Sequence, residues 1–167
     1  MSPKTAAPIL IAAAALLLAG CASSAPVVES TPAPTNAGAC EQVAVVVDFG
    51  PLDEPSVAAC AEAGLATDIL AASGITTEGT VDYGDQVICR VNGEPSADTT
   101  VTIDGAAPFV ETCQTLNAAA YWALWVKNTP DGEWEYAQEG ATSLELEDGQ
   151  SVGLVYTPGT ESVPPQG

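Results

Sequence analysis

Five cysteines, one arginine and no histidine define the chemistry open to this chain of 167 residues. Without an imidazole there is no Ser-His-Asp or Cys-His relay, and no phosphate-cradling loop is present. The cysteines lack the CxxC or Cys/His spacing of a zinc site. Asp48-Phe49-Gly50 spells a kinase tripeptide, but its partner motifs are missing and it ends a strand-like run, so chance explains it. Twenty-two carboxylates permit a paired-acid hydrolase on paper, yet no spacing selects two of them. DFGPLDE offers at most a weak calcium site, since it is no D-x-D-x-D-G loop. The expectation is a non-enzymatic protein with no cofactor.

Cys21 stands apart from the other four. It ends MSPKTAAPILIAAAALLLAGC, in which Lys4 precedes an unbroken apolar run from Ile9 to Ala19. That run is too short for a hydrocarbon layer that needs about 20 helical residues, and it reads as the core of an export signal. Leu18-Ala19-Gly20-Cys21 resembles the bacterial lipobox, where a peptidase cuts before a cysteine already diacylated on sulfur. The expected mature chain is therefore exported and lipidated on Cys21, held on the outer face of the cytoplasmic membrane. The alternative is an ordinary secretory signal cleaved nearby.

Lipidation of Cys21 leaves Cys40, Cys60, Cys89 and Cys113, an even number in an exported chain, so two disulfides are expected. Of three possible pairings the sequential one, 40 with 60 and 89 with 113, closes a single excursion of chain each time. Loops of that size stabilise by roughly 3 kcal/mol each in the chain-entropy model.

The formal net charge is -19; cleavage removes Lys4 and leaves Arg90 and Lys127 against 22 acids, that is 2 − 22 = −20. Such a surface repels nucleic acid and anionic headgroups, so membrane attachment has to come from acyl chains.

Residues 22–39, ASSAPVVESTPAPTNAGA, have a linker's composition and could reach about 50 Å if extended. The organisation expected is a signal over 1–20, the lipidated cysteine and linker over 21–39, one domain over 40–157 and a disordered tail over 158–167. Within the domain, VAVVVDFG alternates as a buried strand, PLDEPS turns, and VAAC returns as its hairpin partner. GLATDILAASG predicts a helix with Leu65, Ile69 and Ala72 on one stripe and Gly74 ending it. QVICRVNG, a possible TTVTID, YWALWVKN, EWEY and SVGLVYT follow as strands. Strand, return, helix and further strands predict an α+β fold, one helix across one mixed sheet.

Two features of these elements are candidate binding groups. The aromatic cluster Tyr121, Trp122, Trp125, Trp134 and Tyr136 places Trp122 with Leu124 and Val126, as core. Trp125 shares its face with Lys127, and Trp134 lies between Glu133 and Glu135; exposed, these two rings would make a stacking platform bordered by Tyr83 and Tyr136. Buried, they are core. Arg90 either pairs structurally with a neighbouring acid or anchors a ligand carboxylate or phosphate. The tight Asn92-Gly93 turn beside it and the excess of acids favour the structural role.

The order of these motifs resembles the β-grasp domain at the C-terminus of transcobalamin and intrinsic factor, which also occurs alone in bacterial surface proteins. The resemblance covers roughly residues 43–157. It rests on GLATDIL, DYG (82–84), ICRVNG, YWALWVKN and the closing pattern of Gly140, Leu146, Asp148, Gly149, Val152 and Tyr156. It implies a ligand-handling or docking module accessory to vitamin, cobalamin-like, or cobalt uptake. A corrinoid would be gripped on one side only, because the large helical domain of the vitamin carriers is missing and Glu94–Ala120 is inserted before the YW strand. A purely structural envelope role is the alternative.

Overall fold

The computed structural model describes residues 40–160 and 163–166. The chain runs through β1 (Val43–Asp48), a 3-10 turn (Gly50–Leu52), β2 (Val57–Ala61), β3 (Gly64–Leu65), α1 (Ala66–Ala72), β4 (Thr77–Thr80) and β5 (Gly84–Val91). It continues with β6 (Thr100–Val101), β7 (Phe109–Val110), β8 (Ala120–Lys127), β9 (Glu135–Tyr136), β10 (Glu145–Leu146) and β11 (Ser151–Pro158). The described residues form one five-stranded mixed sheet, three two-stranded pairings (β10 with β3, β4 with β5, β6 with β7) and a single α-helix. The expected export signal, Cys21 and the linker lie outside the described residues; no described helix is long and apolar enough to cross a membrane.

The sheet has the order β2-β1-β11-β8-β9. β1 and β11 pair in parallel, and the other neighbours are antiparallel. The unbroken apolar character of VAVVV follows from its central place. Val43, Val45 and Val47 are fully buried in the main core, while Ala44 and Val46 are buried on the other face against Cys40 and Trp134. A strand covered on both faces has no need of polar alternation.

α1 lies on the first face, where Ala66, Ile69 and Leu70 join the main core. The buried stripe is therefore not the expected Leu65, Ile69 and Ala72: Leu65 precedes the helix and Ala72 is exposed. No side chain caps the helix start. Its free amides are met by another loop, Ala66 N–H donating to the Leu144 carbonyl at 2.9 Å and Thr67 N–H to that of Ala141 at 3.3 Å. Gly74, with φ +74°, ends the helix as its sequence position predicts. Phe49, Trp122 and Tyr156 fill the same core, with ring centroids 5.3 and 5.4 Å apart in the two pairs around Trp122.

Cys40 is joined to Cys60 and Cys89 to Cys113, the sequential pairing, with Cα separations of 6.0 and 5.5 Å. The first bond staples the entry of β1 to β2. The second holds β5 against the inserted segment. The tail expected to be disordered contributes a buried residue, Pro165, which packs over Gly153 of β11.

Candidate functional site

Arg90 is buried, 8% exposed, and all three nitrogens of its guanidinium are engaged. Nε donates to the Pro95 carbonyl at 2.8 Å, one terminal nitrogen to Glu78 Oε2 at 2.8 Å and the other to the Glu111 carbonyl at 2.7 Å. The Asn92-Gly93 turn makes this possible: both residues have positive φ, and the chain folds straight back to bring Glu94 and Pro95 beside β5. Arg90 thus ties β4, the post-turn segment and the Glu111 strand end together, and it has no free fork for a ligand. Glu111, itself buried, accepts from the Cys113 amide at 2.8 Å.

The aromatic platform expected around Trp125 and Trp134 is not exposed. The pleat of β8 places Trp125 on the second face of the sheet, where it is buried, 6% exposed, in a small cluster with Ala123, Val155, Tyr121 and Trp134. Trp134 lies inward across β11 despite its two glutamate neighbours. Lys127 stands over the Trp134 ring, 4.9 Å from its centroid. Trp125 and Tyr136 meet edge to face at 5.4 Å. This second face is a minor core sealed by aromatic rings, and Trp122, as expected, belongs to the major one. Tyr83 is far from a border role there: it is exposed at the turn joining β4 to β5.

A concave site does exist, at the edge of β8. β9 pairs only with Trp125 and Val126, and the Ala137 amide reaches the Leu124 carbonyl at 2.9 Å. Among the described residues, Ala120–Ala123 consequently have a strand partner on the β11 side alone. Between this bare edge and β5 lies a cleft of about 150 Å³. Ile88, Leu124 and Leu154 form its apolar base, Tyr121, Trp122 and Tyr136 its aromatic wall, Leu116 one lip, and Gln86 and Glu139 its polar margin.

The surrounding elements hold the cleft open. The Cys89–Cys113 bond and the Arg90–Glu111 contact position the segment that delivers Leu116. On the opposite side the loop after β9 crosses β5, with the Ala141 amide donating to the Gln86 carbonyl at 3.4 Å. Gly140 is required there, because a Cβ would stand 2.6 Å from the Gln86 carbonyl oxygen. Tyr136 is partly withdrawn from water. Burial, followed by hydrogen bonding to and the charge of Tyr121, pushes its phenol up from 10.0 to about 12. It is therefore a neutral hydroxyl at any physiological pH.

Of the candidate aromatic cluster named from the sequence, Tyr121, Trp122 and Tyr136 line this cleft; Arg90, Trp125, Trp134, Lys127 and Tyr83 do not. Leu116, Gln86 and Glu139 were missed as site residues. The available signal was Tyr121, which precedes Trp122 on the opposite face of a strand whose next pairing segment, EWEY, is too short to cover it. Comparison with family models, with curated proteins and with solved structures returns no match.

Proposed function

We propose that this chain is an exported, lipid-anchored, non-enzymatic module of the β-grasp type that binds a small molecule in the cleft between β5 and β8. The observation that carries the reading is the cleft itself: apolar at its base, aromatic on one side, with few polar groups at its margin, the composition of a small-ligand site. The β-grasp assignment is supported by the order β2-β1-β11-β8, with the first and last strands parallel at the centre and α1 following the first hairpin. Acyl chains on Cys21 supply the anchor, and residues 22–39 the tether.

Ligand pockets for drug-sized molecules enclose about 300–1,000 Å³. At about 150 Å³ this cleft takes a compact molecule or one arm of a larger one, so a corrinoid macrocycle would rest against its mouth with a single substituent inside. A second reading, docking onto a membrane transport component, draws on Val81, Tyr83 and Leu116, which are 73%, 57% and 47% exposed. The turn carrying Val81 and Tyr83 is hydrogen-bonded to the segment leading to Leu116, through Val81 N–H to the Cys113 carbonyl and Asp82 N–H to that of Gln114.

Screening of compact organic fragments by protein-observed NMR separates the two. A ligand site predicts shifts grouped on Tyr121, Trp122, Tyr136 and Gly140. Fragments that shift none of these, alongside a partner that protects Val81, Tyr83 and Leu116, would replace the first reading by the second.

A further inference from the structure

A shallow groove adjoins the cleft and shares two of its lining residues. Tyr136 and Glu139 line both, and the groove adds Glu135 and Glu145 beside Val126 and Leu144, within a volume of about 470 Å³. One end of the combined site is aromatic and apolar, and the other carries three carboxylates. Neither of the two described cations lines it: Arg90 is bound to Glu78, and Lys127 sits over Trp134. The sequence surrounds this site with a net charge of -19.

From this distribution we infer that the ligand is an amine with an apolar body, whose hydrocarbon part enters the aromatic cleft and whose ammonium lies towards Glu139, Glu135 and Glu145. The inference rests on the binding role proposed above and names the chemical class of that ligand. The apolar part leaves water for a surface of rings and aliphatic side chains. A cation at the rim gains from the faces of Tyr121 and Tyr136 as well as from the carboxylates. An anion is disfavoured by the net negative field, even beside the amides of Asn128, Gln138 and Gln150. A metal ion is a poorer occupant than an organic cation, because the groove carboxylates do not converge. Among the described residues, the metal-ligating types that come within 4.8 Å of one another as a triad are Glu78, Cys89 and Cys113, and both sulfurs are consumed in a disulfide.

Isothermal titration calorimetry of the full chain in a neutral detergent, against a detergent blank, tests the inference with three matched probes: 2-phenylethylammonium, 2-phenylethanol and 3-phenylpropanoate. The amine should bind about ten-fold more tightly than the alcohol, and the carboxylate not detectably. Glu139→Gln, at an exposed position, should bring the affinity for the amine close to that for the alcohol. Added salt should weaken the amine alone. Equal binding of amine and alcohol, unaffected by Glu139→Gln, would overturn the amine assignment and leave the cleft a binding site for neutral molecules. Binding of none of the three would remove the small-molecule role as well. A lysine-containing peptide that binds at least ten-fold more tightly than the free amine would overturn the small-molecule source in favour of a protein partner.

Discussion

Trp134 lies across Gly153. A Cβ added to Gly153 would stand 3.2 Å from Cζ3 and 3.3 Å from Cη2 of that ring, and it would press still harder on Pro165. The glycine in the middle of β11 is thus the seat on which the second face of the sheet is closed. Gly153→Ala should destabilise the domain by about 1–3 kcal/mol, the usual cost of overpacking. Removing residues 161–167 relieves part of that clash, so the substitution should cost less in the truncated chain. Denaturant unfolding of the four proteins measures the coupling.

Trp125→Ala removes a buried ring from the same face. A loss of about 3–5 kcal/mol is expected, with a matching fall in the melting temperature. An unchanged melting temperature would mean that the ring stands in solvent, contrary to its 6% exposure.

Arg90→Ala leaves the Pro95 and Glu111 carbonyls without their donor. The expected cost is about 3 kcal/mol, most of it from these two buried acceptors, because Glu78 is 56% exposed and can turn to water. Arg90→Lys should recover little, since an ammonium cannot span three acceptors fixed around a planar fork. Chemical denaturation of both variants gives the comparison.

Alkaline titration should expose the phenols. The folded-state value of Tyr136 is raised from 10.0 to about 12, and that of Tyr156 is raised further by burial and by the charge of Glu111. Between about pH 10 and pH 12 the folded chain therefore holds protons that the unfolded chain has released, and stability falls as pH rises through this window. Tyr136→Phe should flatten part of that fall. Melting temperature against pH, with tyrosinate absorbance recorded alongside, checks the sign.

Cys21→Ser should move the protein from the membrane fraction to the soluble one. Acyl chains are the only proposed anchor, and the strongly acidic surface offers anionic lipid no electrostatic attraction. Persistence of the variant in washed membranes would count against lipidation at this position.

The elements with strong periodicity were legible in advance. β1, β5, β8 and β11 carry β-branched and aromatic residues in alternation, and Asn92-Gly93 and Gly74 mark their turns by requiring positive φ. β4 was not legible: Thr-Glu-Gly-Thr has no apolar face, and its pairing with β5 is irregular at Gly79. The role of Arg90 was readable from its surroundings, but its partners were not, because Pro95 and Glu111 arrive through tertiary folding. Trp134 misled through its flanking glutamates. Trp134 stands just before β9, outside any strand, where neighbours in sequence say little about which side a ring takes, and the space over Gly153 decided it. The cleft was invisible because it arises from a missing strand partner along Ala120–Ala123, which no local pattern records.

The parallel pair at the middle of the sheet joins opposite ends of the described chain, Ala44 facing Ser151 and Asp48 facing Val155. While the polypeptide is being made, β1, β2 and α1 wait with Val43, Val45 and Val47 uncovered on the side that β11 will close. Such distant pairing is slow to form, and here it cannot begin before the last strand exists. A growing chain of this sequence therefore lacks the central pair of its sheet until β11 has been made.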